Sequence, residues 1–272
     1  IAEGDTRQIG LEAMLNMGFD IYAGYPSEKW PGAASVVTSR VHMHKGEWKG
    51  EKRLSGNVVN HVSAFLSDRE EWSPKRLKSN AGIAFQGSCV LGKGFILNAD
   101  DASRMLDADP RNADVIFPYL NGLELNSDPV QRPSRFIINF WDWPEERARQ
   151  YALPYEWIKN TVYPERLKKS SQKSYKEIML NWWLHWRPRA ELYHFIGRGD
   201  KFENHPGGWS SGTHKFDRVL AVTRVSKTLG FSFIPNDMIY SDAVVLVMSE
   251  KASLFATLQS SIHTAFAWQN SS

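Results

Sequence analysis

The chain has 272 residues, 42% hydrophobic content and a net charge of +3, the composition of an ordinary globular protein with room for one large domain or two small ones. Its longest aliphatic run, residues 243–248, is far too short to cross a bilayer, no segment is built like a secretory signal, and the lone Cys89 excludes an internal disulfide framework. These features point to the cytoplasm, and the small net charge shifts attention from total charge to clustering, notably in "PERLKKSSQKSYK" and "HWRPR".

In chain order, apolar spacing predicts a short helix over residues 10–17. "DIYAGYPSEKWPGAASVVTSRVHMHKG" reads as two strands joined by a Pro/Gly turn, the second rich in β-branched residues. "GNVVNHVSAFLSD" fits helix or strand equally, and the polar "REEWSPKRLKSN" reads as a linker over residues 69–80. Beyond it, "GIAFQGSCVLGKGFILN" predicts a glycine-punctuated hairpin and "ADDASRMLDADP" a helix with acidic residues at its start. "DVIFPYLNGLEL" and "RFIINFWDW" are strand-like, with Asn121-Gly122 predicting a turn. Two helical stretches follow, interrupted at Pro154, Pro164 and Pro188. In the second, "NWWLHWRPR" would place Trp182 and Trp186 on one helix face. A long polar loop over residues 197–217 leads into three or four short strands and a single closing helix. The fold class expected is α+β.

Most chemical motifs fail on inspection. "GSCVLGKG" lacks the Ser or Thr that a phosphate-binding loop needs after its Lys93, and a hairpin turn is the better reading. His42 and His44 share a strand face without further metal ligands at a convincing spacing, so no metal site is expected. No G-x-S-x-G accompanies Ser260, Ser261 and His263, and the pairs Glu70-Glu71 and Glu145-Glu146 read as solvated faces. The basic clusters are more informative. Lys168, Lys169 and Lys173 form a positive run suited to phosphates, and Arg187 and Arg189 follow the tryptophans. Arg198 and Lys215 flank the long polar loop. In "RVLAVTRVSKTLGFSF" an all-apolar strand predicts burial, after which Arg224 and Lys227 emerge as candidate base-reading donors.

The chain resembles a known family over nearly its full length, through "IAEGDTRQIGL", "KWPGAASVV", "AFQGSCVLGKGFIL", "DPRNADVIFPYLNGLEL", "RFIINFWDW", "VYPER", "NWWLHWRPR", "TRVSK" and "LQSSIHTAFAW" in order. The family is that of large single-chain adenine-N6 DNA methyltransferases, including type II restriction–modification enzymes of subgroups G and L and phage-defence methylases of bacteria. The resemblance implies that residues 1–68 are the C-terminal edge of a methyltransferase domain and that residues 81–272 are a DNA target recognition domain. It places Gly4, Asp5, Thr6 and Arg7 beside the target base. The family's catalytic Asn/Asp-Pro-Pro-Tyr/Phe tetrapeptide and its cofactor glycine motif do not occur here. The sequence is therefore expected to be a catalytically silent piece of a larger enzyme. S-adenosylmethionine would be bound by the complete enzyme only, no metal would be held, and double-stranded DNA would be the partner. The eleven tryptophans also suit an aromatic carbohydrate-binding or RNA-binding module, which remains the alternative.

Overall fold

The computed structural model describes residues 7–34, 36–69, 74–75 and 77–270. The chain divides into two compact units, Ile1–Arg76 with Ile262–Ser272, and Leu77–Ser261. The architecture is α+β.

In the first unit, a π-helical turn at Gln8–Glu12 runs into α1 (Ala13–Asn16). Strands β1 (Phe19–Lys29) and β2 (Val37–Lys45) pair antiparallel, as the two β-rich stretches predict. Short β3 (Lys52–Leu54) and β4 (Asn57–Val59) complete a sheet of order β2-β1-β3-β4. Ile21 packs with Leu11, Val62, Ala64 and Leu66 in a small core. "GNVVNHVSAFLSD" resolves as β4 followed by irregular chain, because its apolar residues face this core without either regular period.

The second unit contains two four-stranded sheets, one of order β10 (Ser232–Pro235), β9 (Arg218–Thr223), β12 (Val244–Val247), β5 (Ala84–Gln86) and one of order β11 (Ile239–Tyr240), β7 (Ile116–Leu120), β8 (Phe136–Ile138), β6 (Ile96–Leu97). β5 (Ala84–Gln86) and β6 (Ile96–Leu97) fall in different sheets, so the predicted hairpin does not form. The glycines between them serve close packing instead. A Cβ on Gly87 would lie 2.2 Å from the Ser241 carbonyl oxygen, and one on Gly94 would lie 2.5 Å from Thr161. Helix α2 (Ala99–Ala108) starts where Asn98 accepts the Asp101 N–H at 2.7 Å. β7 (Ile116–Leu120) ends at Asn121, which caps α3 (Gly122–Ser127) in a reciprocal box with Glu124 rather than making a hairpin turn. The cap satisfies helix donors that a turn would leave to solvent.

After β8 (Phe136–Ile138) come α4 (Glu145–Ala148) and α5 (Ala152–Lys168), which runs through both Pro154 and Pro164. Pro154 lies in the first turn, where no intrahelical donor is lost. Glu145 is half-buried, accepting from the Tyr155 hydroxyl and from Arg149 at 3.0 Å, so it is not a solvated face. Helix α6 (Lys173–Leu180) stops before the tryptophans. Residues 181–189 are not helical, contrary to the prediction. Arg166 takes the carbonyls of Trp182 and Leu184, and Arg187 pairs as an isolated bridge with Cys89. Both interactions remove groups a helix would need, and Pro188 forces the preceding residue towards extended backbone. Trp182 and Trp183 are buried at 8% exposure while Trp186 is 40% exposed, so the predicted common face is absent.

Helix α7 (Ala190–Phe195) leads into the long loop, then β9 (Arg218–Thr223), β10 (Ser232–Pro235), β11 (Ile239–Tyr240) and β12 (Val244–Val247). β9 is central and buried on both faces from Val219 onward, as its apolar run predicts. The closing segment is two helices, α8 (Ala252–Leu258) and α9 (Ser261–Asn270), and from Ile262 it groups with the first unit rather than with residues 81–261. No helix among the described residues is long and apolar enough to cross a membrane.

Candidate nucleic-acid interface

Strand pairing brings three chain segments to one end of the sheet β10-β9-β12-β5. Thr223 at the end of β9 is opposite Val244 at the start of β12, and Val245 is opposite Gln86 at the end of β5. Arg224, Asp242-Ala243 and Gln86 therefore form a continuous rim. The Arg224 N–H donates to the Ala243 carbonyl at 2.8 Å, and the Gln86 side-chain amide donates to the Asp242 carbonyl at 2.7 Å. Gln86 in turn accepts from the Arg189 guanidinium at 3.0 Å.

The far side of the rim is the irregular stretch 181–189, and it is held rigidly. Arg166, 1% exposed, donates to Trp182 at 2.7 Å, Leu184 at 2.8 Å, Val90 at 3.0 Å, and Leu91 at 3.0 and 3.3 Å. Burial pushes its pKa down to about 10, which leaves it charged at neutral pH. His185 bonds the Ile138 carbonyl at 2.9 Å, and burial lowers its pKa to about 4, so the ring is neutral. Ser88 donates to the Pro188 carbonyl at 2.9 Å, and Cys89 and Arg187 exchange backbone bonds of 3.0 Å. Burial, and then the Asp242 charge, push the Cys89 thiol up, so it stays protonated. Trp186 and Arg187 are exposed on this support, with the guanidinium 4.2 Å over the indole ring.

At the other side of the rim lies the segment 224–230. Asn126, at the end of α3, accepts from Thr223 at 3.3 Å and donates to Ser226 at 3.5 Å. Ser226 accepts the Thr228 N–H at 3.1 Å. Arg224 and Lys227 are exposed and make no ion pair or side-chain hydrogen bond with another described residue. Asp217, the acid that sequence offers as a partner for Arg224, precedes the opposite end of β9.

Of the cations singled out by sequence, Arg187, Arg189, Arg224 and Lys227 come together here. Lys168 and Lys173 are exposed and unpaired among the described residues, but they sit at the junction of α5 and α6. Lys169 is half-committed to Glu165 at 2.9 Å. Lys215 is exposed, but it precedes the start of β9. Six residues of strand separate it from Arg224, roughly 20 Å.

Two of the arginines singled out by sequence are buried. Arg198 is 9% exposed, donates to the Met238 carbonyl at 2.6 Å and lies over the rings of Phe117, Trp141 and Tyr193, so it is a core residue. Arg7 is 7% exposed, 3.1 Å from Glu12 and 3.8 Å over Phe65, and it organises the first unit. Gly4, Asp5 and Thr6 lie outside the described residues. Among the described residues, no group of three or more His, Cys, Asp or Glu is arranged to hold a metal ion.

Sequence reasoning missed Gln86, Asn126 and Arg166. Arg166 looks like one more member of a basic run, and only the fold reveals its inward turn. Gln86 had one signal, a polar residue at a strand end directly before a glycine.

The exposed, rigidly supported donors of the rim have the form required to contact phosphates and base edges. No protein-family model and no curated protein matches the chain. Among solved structures, it is similar to the Type IIL restriction-modification enzyme MmeI, determined in complex with DNA, with a TM-score of 0.71 at 15% identity. The likeness, one of fold, covers 100% of this chain and 35% of that chain.

Proposed function

We propose that this chain is the DNA target-recognition part of an adenine-N6 DNA methyltransferase of the restriction–modification type. The observation that carries the reading is the likeness of the whole chain to one part of an enzyme solved on DNA. The rim supports it. Arg224 and Lys227 leave a rigid buried strand as unpaired donors, and Arg187 and Trp186 stand on a stretch pinned by Arg166.

In this reading Arg224 or Lys227 reads a base edge, and Arg187, Lys168 and Lys173 hold phosphates. Lys215 contributes from a separate patch. Methyl transfer and S-adenosylmethionine binding belong to the complete enzyme, with residues 1–68 at the edge of its methyltransferase domain. The chain alone transfers no methyl group. The complete enzyme works on double-stranded DNA in a bacterial cytoplasm and, where a nuclease accompanies it, restricts DNA. A sugar-binding reading loses its footing because Trp141, Trp143, Trp182 and Trp183 are core residues.

The test is duplex DNA binding by the chain across a salt series. Affinity should fall linearly in log–log form, with a slope near 0.9 per phosphate contacted. Binding indifferent to salt, or absent, would refute the proposal. Arg224→Ala should relax preference at one base pair, whereas Lys168→Ala should weaken all sequences about equally.

A further inference from the structure

Arg189 is the most constrained cation on the rim. Its backbone is left-handed, with φ 60° and ψ 53°, a conformation that costs a non-glycine residue energy. Its Nε is buried without a hydrogen-bond acceptor. One terminal nitrogen donates to Gln86 Oε1 at 3.0 Å. Gln86 is itself fixed, because its Nε2 donates to the Asp242 carbonyl at 2.7 Å. That bond also fixes which end of the amide faces the arginine. The neighbouring chain is locked by the Ser88–Pro188 and Cys89–Arg187 bonds. Strain, an unmet donor and an oriented buttress persist together only where the surroundings impose one geometry.

A phosphate contact does not need this. Flexible lysines such as Lys168 and Lys173 serve phosphates well, because the target is a diffuse charge. Base reading does need it, since discrimination between base pairs depends on where each donor points. With Gln86 holding one of the four N–H groups on the two terminal nitrogens, three are left without a partner among the described residues, enough to present a planar pair of donors. That pair matches two adjacent acceptors on a purine edge, the O6/N7 pattern of guanine.

We infer that Arg189, positioned by Gln86, reads a guanine edge at a base pair distinct from the one read by the 224–230 segment. This rests on the proposed DNA-recognition function. Gln86 is a positioning residue that acts through Arg189.

The experiment is selection of bound sequences from a randomised duplex library by the 272-residue chain, with Arg189→Lys, Gln86→Leu and Arg224→Ala selected in parallel. Thermal melting of each variant confirms folding, and Arg189→Lys keeps the charge while removing the planar fork. Wild type should enrich a motif containing a guanine whose preference falls about tenfold or more in Arg189→Lys. Gln86→Leu should lose preference at that same position, and Arg224→Ala at another. An unchanged motif in Arg189→Lys, with wild-type selection intact, overturns this inference alone and leaves Arg189 a structural staple. Loss at different positions in Arg189→Lys and Gln86→Leu overturns the positioning role. Failure of the wild type to enrich any sequence overturns the DNA-recognition reading and this inference with it.

Discussion

Replacing Arg166 by Met removes a buried guanidinium and leaves three carbonyls, those of Leu91, Trp182 and Leu184, without a donor, while the Val90 carbonyl keeps the Trp186 N–H at 3.4 Å. Each buried acceptor so abandoned costs about 1–3 kcal/mol. Taking the middle of that range for three acceptors gives a loss of about 6 kcal/mol. Against it stands relief from burying a charge. The drop in pKa from 12.5 to about 10 corresponds to roughly 3 kcal/mol at 1.4 kcal/mol per unit. The expected net destabilisation is therefore about 3 kcal/mol, a large share of a typical domain's stability. Urea titration followed by tryptophan fluorescence is a suitable assay, because Trp182 and Trp183 lie in the affected stretch. With a slope near 2 kcal/mol/M, the midpoint should fall by about 1.5 M. Arg166→Lys should recover only part of the loss, since an ammonium cannot span all four carbonyls. A midpoint for Arg166→Met within 0.5 M of wild type, a margin of about 1 kcal/mol, would refute the reasoning.

The neutral, buried His185 makes stability depend on pH. Its folded pKa of about 4 lies below the ordinary 6.5, so the unfolded chain binds the extra proton between those values. Its contribution is fully present above pH 6.5 and is lost as pH falls towards 4, up to about 3 kcal/mol. His185→Gln should flatten the fall in melting temperature over that window, and an unchanged profile would count against it. Lys168→Ala combined with Lys173→Ala should lower the salt slope of DNA binding by about two, while Lys169→Ala should change it less because Glu165 already holds that lysine; equal slopes for all variants would make the α5–α6 junction a bystander. Gly87→Ala should prevent folding of the second unit or cost more than 4 kcal/mol, because its Cβ would meet backbone oxygen at 2.2 Å. A melting temperature near wild type in Gly87→Ala would show that β5 and the Ser241 segment can separate.

What sequence made legible, and what it hid, follows from the range of the interactions involved. The β1–β2 pairing, the buried β9 and the helix at residues 99–108 depend on periodicity and neighbouring caps, which local sequence encodes. "NWWLHWRPR" failed because its helical pattern is overruled by Arg166 and by Cys89, residues far away in the chain. Asn121-Gly122 failed for a nearer reason. The same pair suits a turn or a cap, and Glu124 three residues on decides for the cap. The candidate site was legible in parts. Arg224, Lys227, Arg187 and Arg189 stand out as cations near apolar stretches, yet only strand register shows that they share a rim. Arg198 looked no different from them, and its burial under three aromatic rings has no local signature.

The return of the chain from Ile262 to the first unit bears on synthesis. All of Leu77–Ser261 leaves the ribosome before the residues that join Ile1–Arg76 can follow. At 5–20 residues per second, that interval lasts roughly ten to forty seconds. The second unit has its own core and both its sheets complete within Leu77–Ser261, so it can fold while translation continues. The first unit's small core is drawn from residues between Leu11 and Leu66 and is also made early, so what comes late is the docking of the segment from Ile262. The contacts that tie the C-terminal helix to Ile1–Arg76 are thus the last that this chain can make during synthesis.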